Sequence, residues 1–440
     1  MVTQLWSAPF AASAVRGTVS VPGSKSITNR AFILAALSRQ PTRIRRPLLA
    51  RDCRLMLAAL EALGIAVERS ASDLADGVTD TVTITPAPLI GPADIDCGLA
   101  GTVMRFVPPM AALATGRISF DGDAGARSRP MAETIASLRQ LGVTVVSPPE
   151  LTLPFSIAAT GRVPGGEVIL DASRSSQFVS GLLLSAARYD AGAVIRHRGA
   201  PVPSLPHIDM TLRMIAAAGA RVESTSTDAR EATWRVFPGE LEQPDLDIEP
   251  DLSNAAVFLA AAMVTGGSVT IAGWPTDTDQ PGDQVRQVFD QMGARCSAGA
   301  QGLTLVRADR IRGIDINLRD IGELTPTIAA VALFADSASH LRGIGHLRGH
   351  ETDRLAALCT EIDRLGGRAT QTEDGLMIDP SPLAAADLLT YNDHRMATFA
   401  AIVGLMVPGV RVENIVTTAK TLPDFTAQWQ RLVAPGRTKG

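Results

Sequence analysis

Apolar and polar positions along the chain follow a long-period pattern. A phrase of the form apolar–x–x–apolar–Gly–x–x–apolar recurs at 60–67, 138–145, 215–222, 289–296 and 362–369. Its glycines are Gly64, Gly142, Gly219, Gly293 and Gly366, spaced 78, 77, 74 and 73 residues apart, and a weaker sixth copy lies at 429–436. Each glycine is predicted just past a helix, where a left-handed cap costs glycine least. Upstream of each phrase is a short run of strand character, at 42–46, 117–120, 193–197, 268–272, 340–344 and 410–415. Before each run lies an Ala/Leu-rich stretch predicted as helix, at 26–37, 102–115, 176–187, 253–265, 325–336 and 394–406. Self-similarity at a fixed period marks a repeated supersecondary unit, here six α/β units of about 75 residues. An acidic break at 238–250, carrying Pro238, Pro244 and Pro250, separates the third unit from the fourth. The chain is therefore expected to form two domains of three units, with the crossover at that break.

The starts of the six helices read Gly-Ser-Lys-Ser, Ala-Gly-Thr, Ser-Ser-Gln, Asp-Leu-Ser-Asn, Gly-Glu-Leu-Thr and Asn-Asp-His-Arg. Ser, Thr, Asn, Asp and Gly are N-cap residues, so one reading is that these are caps and nothing more. Four of the six, however, also carry a cationic or amide side chain near the first turn: Lys25 with Arg30, Arg105, Gln177, and His394 with Arg395. A helix start offers free N–H groups and a positive dipole end. Several such starts converging would suit a substrate with more than one phosphate or carboxylate.

Composition narrows the picture. Of 440 residues 46% are apolar and 20% charged, a globular balance, and the net charge is −4. No basic block offers the cationic face of a nucleic-acid protein. No charged leader precedes an apolar run, and no apolar stretch approaches the roughly 20 residues of a membrane span, so a cytoplasmic protein with no membrane partner is expected. Cys53, Cys97, Cys296 and Cys359 are scattered, and His346 and His350 have Gly349 between them, so no metal site is suggested. Only three of the 41 basic residues are lysines, Lys25, Lys420 and Lys439. Where Arg replaces Lys so widely, the surviving lysines become candidates for positions that Arg cannot serve.

Six motifs then stand out. They are Val21-Pro-Gly-Ser-Lys-Ser-Ile-Thr-Asn-Arg30, Leu99-Ala-Gly-Thr-Val-Met-Arg105, Ala126-Arg-Ser-Arg-Pro130, Arg348-Gly-His-Glu-Thr-Asp-Arg354, Tyr391-Asn-Asp-His-Arg-Met396 and Thr418-Ala-Lys-Thr-Leu-Pro-Asp424. The first is not a P-loop, since GxxxxGK[ST] is absent. Taken in order, they resemble the 3-phosphoshikimate 1-carboxyvinyltransferase (EPSP synthase) family, over nearly the whole chain from Val21 to Phe425. Gly-Ser-Lys-Ser and Ala-Gly-Thr are weak signals alone; the last three motifs at these separations are strong ones.

The resemblance implies two inverse α/β domains, each of three βαβαββ units around a pseudo-threefold axis. It also implies that an N-terminal strand joins the second domain. The expected division is 1–18 with 246–435, against 19–245, leaving 436–440 as a tail. The implied activity moves the enolpyruvyl group of phosphoenolpyruvate to the 5-hydroxyl of shikimate 3-phosphate and releases phosphate. No cofactor is implied, and a monomer that opens and closes to exclude water is expected. Matched residue by residue, Lys25, Ser26, Arg30, Ser175, Ser176, Gln177, Ser204, Glu323, His346 and His350 resemble the shikimate 3-phosphate contacts. Lys25, Gly101, Arg129, Gln177, Arg354, Arg395 and Lys420 resemble the phosphoenolpyruvate pocket. Lys25, Glu323, Glu351 and His394 resemble the catalytic set, with Glu323 as the base near the shikimate hydroxyls and Glu351 as the acid for the methylene carbon.

This chain also departs from the pattern. Glu323 stands where many members have Asp, His350 where others have Lys, His346 where Asn is common, His207 where Tyr is common and Leu99 where Asn is common. His350 exchanges a permanent charge for a group titrating near about pH 6.5, so substrate affinity is expected to weaken as pH rises through its pKa. Gly101 leaves room for an inhibitor longer than phosphoenolpyruvate, and sensitivity to glyphosate is expected, although Phe106 replaces a common Pro. Two alternatives remain. One is a UDP-N-acetylglucosamine enolpyruvyl transferase, whose hallmark cysteine is missing from 121–130. The other is an inactive anion-binding homologue.

Overall fold

A computed structural model describes residues 5–74, 77–225 and 230–434. The chain divides into two compact units, Gly23–Ile248 and Met1–Pro22 with Glu249–Gly440.

In the unit Gly23–Ile248, helices Lys25–Leu37, Gly101–Ala111 and Gln177–Ala186 pack against one another as an inner layer. Beyond the polar residues near their starts, their sequences are largely apolar all round, and a helix of that kind is stable only when buried. Gly101–Ala111 is buried at every position. It stops at Ala111, short of the expected 115, because Thr115 already opens the strand Thr115–Asp121. Gly181 permits the closest approach in this layer, since a Cβ there would lie 2.1 Å from the Arg105 carbonyl oxygen. The outer helices Arg51–Ala62, Ala132–Gln140 and Leu205–Ala217 bury one stripe each. They end at Gly64, Gly142 and Gly219, with φ of 89°, 85° and 93°.

Each repeat of this unit contributes to a four-stranded sheet whose first pair is parallel and whose last strands form an antiparallel hairpin. The first sheet is completed from far along the chain. Its leading strand, Leu246–Asp247, pairs in parallel with Thr42–Arg45, matching Leu246 to Ile44.

The other unit repeats the plan. Helices Leu252–Thr265, Thr325–Ala332 and His394–Gly404 form its inner layer. Thr325–Ala332 again stops before the expected 336. Arg16–Val19 lies parallel to Ser268–Ala272, and Leu5–Ser7 pairs antiparallel with Arg411–Glu413. Gly293 and Gly366 have φ of 106° and 78°, so all five strong glycine caps are left-handed. The weaker sixth phrase runs past Ala434 and ends outside the described residues, as does Lys439. Among the described residues no helix is long and apolar enough to cross a membrane.

Candidate functional site

Each unit gathers its three inner helix starts into a cluster of charged and polar side chains. In Gly23–Ile248, Ser24 caps the first helix and accepts from the Ile27 N–H, which places Lys25 at its first position. Lys25 Nζ lies 3.4 Å from Asp52 Oδ2. Asn29 donates to the Thr102 hydroxyl at 2.7 Å, joining the first helix start to the second.

Arg30 is only 2% exposed. Its Nε donates to Thr211 Oγ1 at 2.7 Å, Nη1 to the Ser26 carbonyl at 3.0 Å, and Nη2 to the His207 carbonyl at 3.1 Å and Ser180 Oγ at 3.4 Å. All four acceptors are neutral. Burial accordingly pulls its pKa down to about 9, since the charge has lost water and gained no counter-charge. Ser204, in left-handed backbone at φ 53°, begins the turn into helix Leu205–Ala217 and accepts from the His207 N–H.

Gly101 lies where the second and third helix starts meet. A Cβ there would stand 3.0 Å from Arg105 Nη1, 3.0 Å from Gln177 Oε1 and 3.2 Å from Arg129 Nη2. Arg129 Nη1 donates to the Leu99 carbonyl, so position 99 takes part through its backbone, although its side chain is apolar. Ser175 Oγ accepts from the Gln177 N–H, and Ser176 is buried at the N-cap.

The other unit holds the remaining residues. Its first helix start is capped by Asp251, whose side chain accepts from the Asn254 N–H. Ser253 Oγ donates to Glu323 Oε1 at 3.3 Å, and its carbonyl accepts from Arg395 Nη1 at 2.8 Å. The three inner helix starts of this unit therefore also meet. Arg354 is 2% exposed and forks onto Asp393, with Nε to Oδ2 at 2.7 Å and Nη2 to Oδ1 at 3.2 Å. Glu351 bridges two cations, accepting from Arg354 Nη2 at 3.0 Å and from Lys420 Nζ at 2.7 Å. Burial alone would lower the Arg354 pKa, but Asp393 and Glu351 outweigh it and raise it. Arg395 has its pKa lowered by burial, with Asp251 and Glu323 opposing.

The two histidines are neighbours, with ring centroids 5.6 Å apart. His346 is pulled down to about 4 by burial, then by Arg354 and Arg319. Gly322 makes room for it, since a Cβ there would come within 2.7 Å of its Nε2. His350 Nδ1 lies 3.3 Å from Arg354 Nη1. A guanidinium can only donate, so in this contact the histidine nitrogen is the acceptor. His394 Nδ1 lies 3.6 Å from Asp393 Oδ1.

Several partners carried no signal in the sequence. Asp52, Ser180 and Thr211 read as ordinary helix residues, and their importance comes from pairing across 27, 150 and 181 residues. Asp393 sits inside the Asn-Asp-His-Arg motif but reads locally as a cap, which it also is, since Oδ1 accepts from the Arg395 N–H. Among the described residues no group of His, Cys, Asp or Glu could hold a metal ion.

Comparison with known proteins follows from this geometry. The family model for EPSP synthase (3-phosphoshikimate 1-carboxyvinyltransferase) matches residues 10–429. A 3-phosphoshikimate 1-carboxyvinyltransferase of Kocuria rhizophila is 53% identical over 436 residues, covering 98% of this chain and 96% of that one. Among solved structures, an EPSP synthase from Acinetobacter baumannii superimposes with a TM-score of 0.79 at 25% identity, covering 98% of both chains. The enolpyruvyl transferase NikO from Streptomyces tendae has a TM-score of 0.73 at 17% identity over 97% of both, a likeness of fold.

Proposed function

Because the chain belongs to the EPSP synthase family, we propose that it transfers the enolpyruvyl group of phosphoenolpyruvate to the 5-hydroxyl of shikimate 3-phosphate, releasing phosphate. The reaction sets four requirements. Two phosphates and two carboxylates need cations, the methylene carbon needs a proton, the attacking hydroxyl must lose one, and water must be kept from a cationic intermediate.

The cluster in Gly23–Ile248 suits shikimate 3-phosphate. Arg30 has a buried charge met only by neutral acceptors, and one of its five N–H groups is left over on Nη1 beside Ser26. Ser26, Ser175, Ser176 and Ser204 supply hydroxyl donors, and Lys25, Gly101, Arg129 and Gln177 would serve the boundary with phosphoenolpyruvate. In the other unit, Arg354, Arg395 and Lys420 would take the phosphate and carboxylate of phosphoenolpyruvate. Glu323, His346 and His350 are further proposed contacts of shikimate 3-phosphate. Glu323 is the proposed base, Glu351 the proposed acid, and Lys25 and His394 would assist proton movement.

The observation that supports this reading most directly is Glu351 held between Lys420 and Arg354. An anion that engages the two cations leaves the carboxylate free to carry a proton at that point. The reading extends to a monomeric enzyme of the cytoplasm. Its four cysteines are free thiols, as a reducing compartment keeps them, and light scattering checks the monomer. A coupled phosphate-release assay tests the reaction. Release should require phosphoenolpyruvate with shikimate 3-phosphate, and UDP-N-acetylglucosamine should not substitute. No release at saturating shikimate 3-phosphate would reject the proposal.

A further inference from the structure

Among the described residues, three of the six non-glycine residues with left-handed backbone meet in one place. Tyr391 and Asn392 have φ of 54° and 56°, and Asn414 has φ of 47°. Asn414 Nδ2 donates to Asn392 Oδ1 at 2.7 Å, and Thr417 Oγ1 donates to the Asn392 carbonyl at 3.0 Å. A bulky Tyr in this region is an outlier, and two such residues in succession persist only where their surroundings over-determine them.

Glu361 is completely buried. Its Oε1 accepts from the Tyr391 hydroxyl at 2.7 Å, and its Oε2 accepts from the Leu389 N–H at 2.9 Å and from Arg364 Nε at 3.2 Å. Burial, then Glu361, raises the Tyr391 pKa to about 12, so the hydroxyl stays a donor. Glu361 and Arg354 are seven residues apart on helix Arg354–Arg364, two turns along the same face. The first turn of that helix therefore grips Asp393 through Arg354, and the helix two turns further on grips the residues leading to Asp393 through Glu361.

We infer that Glu361 and Tyr391, with Asn392 and Asn414 behind them, are positioning residues for the reaction: they hold the left-handed segment 391–392 so that Asp393 aligns Arg354 and caps the helix that carries Arg395. Neither Glu361 nor Tyr391 need touch substrate. The same segment also steadies the turn Ile415–Lys420, because Asn414 begins it and Thr417 is within it. The inference rests on the proposed role of Arg354, Arg395 and Lys420 in holding phosphoenolpyruvate.

Tyr391→Phe removes one hydroxyl and little else. It should raise the KM for phosphoenolpyruvate by about threefold or more, with the KM for shikimate 3-phosphate changed by less. The decisive measurement is a double-mutant cycle with Asp393→Asn. If Tyr391 acts through Asp393, Tyr391→Phe should add little in the Asp393→Asn background. The same factor in both backgrounds, or an unchanged KM for phosphoenolpyruvate in Tyr391→Phe, would overturn the inference. Asn414→Gly keeps left-handed backbone accessible while deleting the amide that holds Asn392, so it stands in should Tyr391→Phe fail to fold. It should raise the same KM, and no change there would count equally against the inference. Arg354→Lys separates the two levels: if it leaves the KM for phosphoenolpyruvate unmoved, the reading of the pocket has failed, not merely its support.

Discussion

The two clusters are built from similar residues and differ in how two cations of each are compensated, while Lys25 beside Asp52 and Arg395 on the Ser253 carbonyl run the other way. In Gly23–Ile248, Arg30 and Arg129 are held by neutral oxygens of Thr211, Ser26, His207 and Leu99. In the other unit, Arg354 and Lys420 are held by the carboxylates of Asp393 and Glu351. A buried cation with neutral partners keeps its charge available to an arriving anion, at the cost of an unpaid desolvation penalty. A cation already paired offers less net attraction, but its partner carboxylate gains a protonation state that depends on what else the cation binds. The first arrangement suits gripping an anion; the second suits coupling anion binding to proton transfer.

The largest effect should come from Glu351→Gln. If Glu351 delivers a proton, kcat should fall by about 10²- to 10⁴-fold with a much smaller change in the KM for phosphoenolpyruvate. A loss below tenfold would make Glu351 a counter-charge only, and the contrast between the clusters would lose its catalytic meaning.

Stability sharpens the same contrast. Arg354→Gln strands Asp393, which is fully buried, and should cost about 3–5 kcal/mol in urea unfolding. Arg30→Gln removes a buried charge that has only neutral partners. It should therefore change stability by about 1 kcal/mol or less while raising the KM for shikimate 3-phosphate. Equal losses in the two variants would contradict the difference in compensation.

Gly101→Ala comes next. The added Cβ would press on Arg105, Gln177 and Arg129 at 3.0–3.2 Å. Inhibition by glyphosate should weaken about tenfold, equivalent to roughly 1.4 kcal/mol, with a smaller rise in the KM for phosphoenolpyruvate. Wild-type enzyme indifferent to millimolar glyphosate would defeat this prediction at the start.

A pH effect concerns His346. Its folded pKa of about 4 lies below the unfolded value of about 6.5, so the unfolded chain takes up this proton first. Stability is then undiminished above about pH 6.5 and falls as pH drops toward about 4. Urea midpoints at pH 8 and pH 5 should differ less in His346→Asn than in wild type.

Much of the fold was legible because its signals are local. A left-handed glycine is needed wherever an outer helix turns back, and an all-apolar stretch has to be an inner helix. Helix ends were less legible: Pro108 and Pro109 sit inside their helix and do not end it, nothing near Ala332 announces a stop, and the boundary is set by the strand or turn that follows. In the site, motif residues such as Lys25, Gly101, Arg354 and Lys420 could be picked out by type and spacing. Their partners could not, because a Thr at 211 or a Glu at 361 becomes special only by facing an Arg or a Tyr across the fold. His350 shows the same limit. Its type suggests a titrating grip on substrate, but only the fold shows that its Nδ1 lies 3.3 Å from Arg354 Nη1.

The pairing of Leu246–Asp247 with Thr42–Arg45 has a consequence for how the chain is made. During synthesis the first repeat emerges early but must wait about two hundred residues for the strand that finishes its sheet. Arg16–Val19 waits in the same way for Ser268–Ala272. The first sheet of Gly23–Ile248 is thus closed by a long-range pairing only after the strands of the second and third sheets have been made, so the earliest sheet to leave the ribosome is the last of its unit to be complete.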